Sequence, residues 1–389
     1  MDTLYLDYCA TTPLRPEVLR EMVSVYETQF GNPSSLHEEG RKAKQTVELA
    51  RARIAQCLDA KPTEVIFTSS GTEANNLAIF GALAEYLQTP TASGDGIHVI
   101  TSELEHPAAK NCFRRLERLG VDVTWLPVPE SGVIRVSDLE KALRDNTKLV
   151  SVMMANNEVG TLQPVADIAA LCRPRGILVH TDAVQAVGKI PVSFRQLGVD
   201  LLTCSAHKFY GPKGLGILIA TRRAKLQPIL FGGGQERGLR SSTENVPAIH
   251  GAAVALDLAL GELAQESKRL SALRDQLADE IALHVPDVLH TVSGWPTLPH
   301  VLHICLADVL GEAVLLELDR MGVHVSAGSA CSAGTAEPSA VLQAMGVDPR
   351  YIHGSLRISL GRETHAEDIP RFVQALHTTV HQLRGKLTR

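Results

Sequence analysis

The chain has 389 residues, of which 44% are hydrophobic and 21% are charged, and its formal net charge is −5. This balance is typical of a globular protein long enough to bury a large core, arranged as one large domain with a smaller one or as two similar domains. The slightly acidic charge excludes a protein held to nucleic acid mainly by phosphate contacts. No polar, low-complexity stretch predicts disorder.

Neither a membrane helix nor a leader is predicted. No apolar run was found to reach the roughly 18–20 residues that a membrane helix needs, and the N-terminus lacks the basic and apolar regions of a signal peptide. The seven cysteines are scattered and contain no CxxC pair, so neither a disulfide framework nor a metal site is predicted. We expect a cytoplasmic protein with reduced thiols and without nucleic-acid or membrane partners.

Short apolar runs alternate with helical patterns through the first two thirds of the chain. The runs are continuously apolar, which is typical of strands buried on both faces of a mostly parallel sheet. Strands are predicted at residues 64–68, 98–101, 148–154, 176–180, 199–203 and 215–220, with a helix over 73–87. Beyond residue 260, amphipathic helices are predicted over 260–283 and 366–383, with strands at 301–306, 323–326 and 355–359. The fold class is therefore α/β with a second, α+β domain.

Polar residues follow directly after five of the predicted strands. The carboxyl edge of an open α/β sheet is where such folds build their sites. Any one of these residues could equally cap a strand or a helix, but the repetition favours a site. The residues are Ser70-Gly71-Thr72, Glu105-His106, Asn156-Asn157, Asp182 and Ser205-Ala206-His207-Lys208.

Lys208 and Asp182 suit the chemistry of pyridoxal phosphate (PLP). A lysine after a buried strand is desolvated, which lowers its pKa and makes its amine nucleophilic towards a carbonyl. A carboxylate beside the pyridine nitrogen keeps the PLP ring protonated and electron-withdrawing. Backbone N–H groups at Ser70-Gly71-Thr72 suit a phosphate. On spacing alone, a surface lysine, a capping aspartate and an ordinary helix cap are equally open interpretations.

Longer motifs carry a resemblance to a known family. Leu6-Asp7-Tyr8-Cys9-Ala10-Thr11-Thr12-Pro13 and Phe30-Gly31-Asn32-Pro33-Ser34-Ser35 resemble the opening motifs of class V, fold-type I PLP enzymes. More narrowly, the chain resembles the cysteine desulfurases of the NifS/IscS group, over nearly its whole length and in the same order. Further matching segments are Phe67-Thr68-Ser69-Ser70-Gly71-Thr72-Glu73-Ala74-Asn75, Asn156-Asn157-Glu158-Val159-Gly160, His180-Thr181-Asp182-Ala183-Val184-Gln185, Gly328-Ser329-Ala330-Cys331-Ser332 and Ser355-Leu356-Arg357.

The resemblance implies a mostly parallel seven-stranded sheet in a large PLP-binding domain, residues 14–260. Residues 1–13 and 261–389 would form the small domain that carries the catalytic cysteine. The implied cofactor is PLP and the implied substrate is L-cysteine. The implied assembly is a homodimer, in which Thr243 reaches the PLP phosphate of the neighbouring subunit.

The resemblance also implies roles for single residues. Lys208 would bond covalently to PLP, Asp182 would pair with the pyridine nitrogen and Gln185 would bind the phenolic oxygen. His106 would stack on the ring and assist proton transfer. The residues that would hold the phosphate are Gly71, Thr72, Ser205 and His207. The residues that would bind the substrate are Asn32, Asn157 (also near the cofactor) and Arg357, whose planar guanidinium suits the carboxylate.

Cys331 distinguishes a desulfurase from other PLP enzymes. The resemblance implies that its thiolate attacks the sulfur of the substrate, leaving a persulfide on Cys331 and releasing alanine. A buried structural cysteine is the alternative, but the surrounding residues are too small to bury a side chain well. The persulfide sulfur would pass to an acceptor protein, an iron–sulfur scaffold or an enzyme that thiolates tRNA or a cofactor.

Two other functions compete with desulfuration. One is another fold-type I activity, such as that of an aminotransferase or of a cystine or selenocysteine lyase. The other is a catalytically idle homologue that acts as a binding module, against which intact Lys208, Asp182, His106 and Cys331 argue. His300 and His303 depart from the family, which usually shows asparagines there, and we expect them to be structural with little effect on catalysis.

Overall fold

The structure is a computed structural model that describes residues 3–88, 96–327 and 338–387. Strands and helices are numbered here in chain order. The strands are β1 Leu4–Tyr5, β2 Val65–Thr68, β3 His98–Ser102, β4 Asp122–Leu126, β5 Thr147–Ser151, β6 Leu178–Asp182, β7 Leu201–Ser205, β8 Gly216–Ala220, β9 Val288–His290, β10 Val301–Leu306, β11 Val323–His324 and β12 Ser355–Ser359. The helices are α1 Pro16–Thr28, α2 Glu38–Cys57, α3 Gly71–Gln88, α4 Pro107–Arg118, α5 Val136–Ala142, α6 Val165–Cys172, α7 Phe194–Leu197, α8 Val246–His284, α9 Gly311–Arg320, α10 Ala340–Ala344, α11 Pro349–Ile352 and α12 Asp368–Leu387.

The main sheet has seven strands in the order β2-β8-β7-β6-β5-β3-β4. All neighbouring pairs are parallel except those made by β8, which runs antiparallel to β2 and β7. Every residue of β2, β3, β7 and β8 is buried, as expected for strands covered on both faces. The predicted α/β class and the mostly parallel seven-stranded sheet are confirmed.

The edge strand β4 was missed by the sequence analysis. Its first four residues are exposed or half-buried and only Leu126 is fully buried. The continuous apolar run that marks the central strands is therefore absent from it, because an edge strand has less of its surface covered.

The topology brings the predicted polar residues to one edge of the sheet. β2, β3, β5, β6 and β7 point the same way, since β2 and β7 each run antiparallel to β8 between them. Their carboxyl ends therefore meet at the same edge, and the segments after them carry the candidate site residues.

A smaller layer is built from both ends of the chain. β12-β10-β9 form an antiparallel sheet, and β1 pairs in parallel with β11. Leu4 and Leu6 pack in one apolar cluster with side chains of the second half of α8, of α9 and of α12. The predicted boundary at residue 260 falls inside α8, which runs through it unbroken; the division into residues 14–260 and the remainder stays a prediction.

Helix α8 begins well before the predicted start at residue 260. Its first half is rich in alanine and apolar on several faces, so it lacks the amphipathic period that marks the second half. The helix contains an 18-residue window of mean hydropathy 1.4, which by length and composition is apolar enough to cross a membrane. The prediction that no segment is long and apolar enough for a membrane helix is therefore wrong by length and composition. Because 56% of that window is buried inside the protein, it has the character of a core helix packed against α1 and α2.

Candidate active site

One cavity of about 290 Å³ lies at the carboxyl edge of the main sheet. This volume is close to the lower limit, roughly 300 Å³, of small-molecule sites. The predicted site residues that line it are Gly71, Thr72, His106, Asn157, Asp182, Gln185, Ser205, His207, Lys208 and Arg357. Residues from five strand ends and from β12 therefore meet around one space, as the sequence analysis expected for the sheet edge.

The carboxylate of Asp182 is held by two donors at the end of β6. Oδ2 accepts a hydrogen bond of 2.6 Å from Nδ2 of Asn75, and Oδ1 accepts one of 2.9 Å from the backbone N–H of Val184. Both Asn75 and Asp182 are buried. Asn75 is the last residue of the Phe67–Asn75 motif, but no role was predicted for it. Its spacing from Gly71 at the start of α3 was the available signal, because one helical turn separates them.

Lys208 ends a short 3-10 turn that follows β7. Its Nζ donates hydrogen bonds to the backbone carbonyls of Cys9 and Ala10, the latter at 2.8 Å. Burial lowers the pKa of Lys208, although Cys9, Asp7 and Asp182 oppose the shift. A desolvated amine of lowered pKa is a better nucleophile towards a carbonyl than an exposed lysine.

The N-terminal segment forms the wall beside Lys208. The Cys9 carbonyl also accepts a hydrogen bond of 3.0 Å from Nε2 of Gln185, so Lys208 and Gln185 share one acceptor. The backbone N–H of Cys9 donates to Oγ of Ser359 in β12 at 2.9 Å. The first residues of the chain therefore connect the main sheet to the smaller layer at the cavity.

His106 caps helix α4 with its ring. Nδ1 accepts a hydrogen bond of 3.1 Å from the backbone N–H of Ala108, so this bond does not use the other ring nitrogen, Nε2. Burial lowers the pKa of His106 despite the opposing effect of Asp182, and Lys208 lowers it further. The ring is therefore neutral near pH 7 and is suited to stacking and to proton transfer.

The other end of the cavity is built to receive an anion. Gly71 is the first residue of α3, whose 18-residue length gives its N-terminus a partial positive charge. A Cβ at Gly71 would lie 3.0 Å from Cγ2 of Val184 and 3.3 Å from Cβ of Ser205, so the close approach favours glycine. His207 contacts Oγ1 of Thr11 at 3.0 Å, and burial together with Lys208 and Lys213 lowers its pKa to about 4.

Arg357 reaches the cavity from β12. Nη1 donates to the Asn157 carbonyl at 2.7 Å and Nη2 donates to Oδ1 of Asp7 at 2.8 Å. Only 2% of Arg357 is exposed. A buried, oriented guanidinium suits the recognition of a carboxylate.

Two predicted residues of the described ranges, Asn32 and Thr243, do not line this cavity. Asn32 and Thr243 are exposed, and Oδ1 of Asn32 accepts a hydrogen bond of 2.9 Å from the backbone N–H of Ser34. Cys331 lies outside the described residues. Their roles stay predictions.

Two buried glutamates lie at or beside the cavity, and neither was predicted to be a site residue. Glu105, which precedes His106, accepts a hydrogen bond of 2.8 Å from the backbone N–H of Met153, and burial raises its pKa to about 8. Glu158 lines the cavity and accepts a hydrogen bond from Oγ of Ser339; burial raises its pKa as well. Both belong to motif segments that were visible in the sequence, Glu105-His106 and Asn156–Gly160, but their burial was not.

The chemistry of these groups fits PLP. The carboxylate of Asp182 suits a pyridine nitrogen, the amine of Lys208 suits an aldehyde, and the glycine-lined start of α3 suits a phosphate. The neutral ring of His106 lies on the same cavity wall. A carboxylate, an amine and an anion site in one cavity at the carboxyl edge of this sheet define the class of PLP-dependent enzymes.

Comparison with known proteins gives the same result. The family model for aminotransferase class-V matches residues 4–372. A cysteine desulfurase IscS of Dictyoglomus turgidum is 45% identical over 381 residues, which cover 98% of this chain and 95% of that protein. A solved NifS-like protein has a TM-score of 0.91 at 36% identity, covering 98% of this chain and 100% of that one. A structure of SspA in complex with cysteine has a TM-score of 0.79 at 35% identity, covering 92% and 99%.

The chain therefore belongs to the class-V aminotransferase family and, within it, to the cysteine desulfurases of the NifS/IscS group. It is a PLP-dependent enzyme, and the predictions of family, fold and cofactor are confirmed.

Proposed function

We propose that this enzyme removes the sulfur atom of L-cysteine, releases L-alanine and holds the sulfur as a persulfide on Cys331. The observation that carries the proposal is the convergence of Lys208, Asp182 and Arg357 on one cavity. Relatives of this chain are cysteine desulfurases, and the structurally similar SspA has been solved with cysteine.

Each wall of the cavity would hold one part of the cofactor. When bound, PLP supplies an electron sink that weakens the bonds at the substrate Cα. Asp182, fixed by Asn75 and Val184, pairs with the pyridine nitrogen, and Gln185 binds the phenolic oxygen. The residues that hold the phosphate are Gly71, Thr72, Ser205 and His207. The neutral imidazole of His106 stacks on the ring, and Asn157 lies near both cofactor and substrate.

Arg357 binds the substrate carboxylate, together with Asn157 and, in our proposal, Asn32. Lys208 takes the proton from the substrate Cα at its Nζ, a task that its lowered pKa favours because an uncharged amine can accept a proton. In the sulfur step, the thiolate of Cys331 attacks the sulfur of the substrate. The new S–S bond forms as the carbon–sulfur bond breaks, and the carbon skeleton leaves as alanine after protonation.

The assembly that we propose is a homodimer. Phe30, Leu36 and Phe231 are 85%, 89% and 81% exposed, and they flank the segments that carry Asn32 and Thr243. Large apolar side chains exposed in this way favour an interface. In this arrangement Thr243 binds the phosphate held by the neighbouring subunit.

We further propose that the persulfide sulfur passes to an acceptor protein, an iron–sulfur scaffold or a thiolation enzyme, in the cytoplasm. The six cysteines in the described part of the chain are free thiols, which fits a reducing compartment.

Alanine production from L-cysteine tests the proposal. PLP-loaded wild type is incubated with L-cysteine and a reductant beside Cys331→Ala, with Cys57→Ala, a half-buried cysteine of α2, as the matched control. We expect alanine from the wild type and from Cys57→Ala, and none above background from Cys331→Ala. Alanine from Cys331→Ala would favour a lyase, and pyruvate would indicate β-elimination. A wild type that takes up no PLP would support an idle homologue.

A further inference from the structure

A thiol and an imidazole meet behind the wall of the cavity. Sγ of Cys9 lies 3.6 Å from Nε2 of His300, across 291 positions of sequence. Cys9 lines the cavity, whereas His300 directly precedes β10 of the smaller layer. Both residues are almost completely buried, at 1% and 0% exposure.

His300 has no other side-chain hydrogen bond within the described residues. Its Nδ1 is buried there without a partner, so the contact of Nε2 with Cys9 is the one hydrogen bond of the ring within the described residues. Burial lowers the pKa of His300 well below its usual value, and the positive charges of Lys189, Arg357 and Arg274 lower it further. A fully buried polar ring with one available partner depends strongly on that partner.

The same charges disfavour an imidazolium at His300. A protonated ring would add a positive charge to a fully buried position near Lys189, Arg357 and Arg274. The ring is therefore neutral, and the effect of the contact on the site is one of position.

The backbone of Cys9 connects the contact with His300 to Lys208 and Gln185. Its carbonyl accepts hydrogen bonds from Lys208 and, at 3.0 Å, from Gln185. Its N–H is bound by Oγ of Ser359. With the side chain in contact with His300 as well, Cys9 is held at its N–H, its carbonyl and its thiol.

We infer that His300, acting through Cys9, is a positioning residue that directs the Cys9 carbonyl at Lys208 and Gln185. This role differs from the purely structural one that the sequence analysis expected for His300. The inference rests on the proposal that Lys208 and Gln185 bind PLP.

His303, three residues further along and inside β10, supplies a matched control. It is also buried, but its ring nitrogens contact Oγ1 of Thr291 at 2.7 Å and Oγ of Ser355 at 3.1 Å, away from the cavity lining. Truncation of His303 therefore removes a buried imidazole without touching Cys9.

The experiment compares wild type, His300→Ala, Cys9→Ala, their double variant and His303→Ala as full-length protein. The condensation of the Lys208 amine with the PLP aldehyde, which releases water, gives bound PLP its visible absorption. The visible to near-ultraviolet absorbance ratio of bound PLP therefore reports how well the amine is placed. The dissociation constant of PLP and the thermal midpoint of unfolding are measured alongside.

We expect His300→Ala and Cys9→Ala each to change the absorbance ratio and to weaken PLP binding about three- to tenfold, and the double variant to add little to either. His303→Ala should lower the thermal midpoint while it leaves both PLP readouts at the wild-type values. Cys9→Ala removes a single sulfur atom. If His300→Ala does not fold, the two PLP readouts of Cys9→Ala test the inference.

Unchanged PLP readouts in Cys9→Ala, additive losses in the double variant, or equal losses in His303→Ala would each overturn the inference. These outcomes leave the proposed function standing, because the wild type still binds PLP. A wild type that fails to bind PLP would refute the proposed function and this inference with it.

Discussion

Asn75 donates a hydrogen bond of 2.6 Å to Asp182, although the first turns of α3 and the end of β6 are 107 positions apart in sequence. The second carboxylate oxygen is bound by the backbone N–H of Val184. Two donors at fixed angles hold the plane of the carboxylate. The face that Asp182 presents to the cavity therefore depends on Asn75.

Asn75→Ala should weaken PLP binding by about tenfold or more, because a buried hydrogen bond to a charged group contributes roughly 1.5–3 kcal/mol. Titration of the PLP-free protein with PLP, followed by absorbance, measures the effect. Asn76→Ala is the control, since Asn76 donates to the Thr72 carbonyl on the outer side of the same helix. Equal losses in the two variants would mean that the helix, and not the carboxylate, is responsible.

Arg357→Lys should raise the KM for L-cysteine by about ten- to a hundredfold and change kcat much less. Lysine keeps the charge but loses the planar fork, which Arg357 also uses to bind Asn157 and Asp7. Steady-state kinetics of alanine formation give both constants. Arg350→Lys, at an exposed residue paired with Asp308, should leave them unchanged. A KM at the wild-type value in Arg357→Lys would contradict the proposed carboxylate site.

Glu105 should make the enzyme less stable as the pH rises. Its pKa is raised to about 8 by burial, from an ordinary value of 4.5. Between these two values the folded state holds a proton that the unfolded state has lost, so the free energy of unfolding falls with increasing pH. Above the folded pKa the contribution is constant.

Glu105→Gln removes this ionisation while it keeps the shape of the side chain. We expect the variant to gain stability relative to wild type between about pH 4.5 and 8, by a few kcal/mol in total. Denaturant unfolding at several pH values measures the difference, with Glu27→Gln on the exposed face of α1 as the control. A pH-independent difference between Glu105→Gln and wild type would show that Glu105 does not titrate in this range.

Two glycine-to-alanine changes should have opposite effects. A Cβ at Gly216 of β8 would lie 2.2 Å from the carbonyl carbon of Ser70, directly before Gly71. Gly216→Ala should lower stability by more than about 2 kcal/mol and weaken PLP binding, because the turn before α3 must move.

Gly261 lies exposed in α8 with open space around it. Gly261→Ala should raise stability by about 0.5–1 kcal/mol without changing PLP affinity. Thermal unfolding separates the two, and a stable Gly216→Ala would refute the close approach.

Local patterns predicted strands that are completely buried. Strand β10 and strand β12 occur where the sequence analysis placed them, at residues 301–306 and 355–359. Strand β4 and the first half of α8 were missed, since one is partly exposed and the other is apolar on several faces. Pattern recognition depends on contrast between faces, and both segments lack it.

The order of residue types along the chain is enough to predict which polar groups follow each strand, and a parallel sheet brings such residues to one edge. Lys208, Asp182 and His106 were found for that reason. The tertiary structure decided which distant groups complete them: Asn75 on Asp182, and His300 on Cys9. Hydrogen bonding acts over about 3 Å in space, and nothing in the spacing of residues along the chain encodes a contact across 291 positions. Only the folded packing of the main sheet against the smaller layer brings those atoms together.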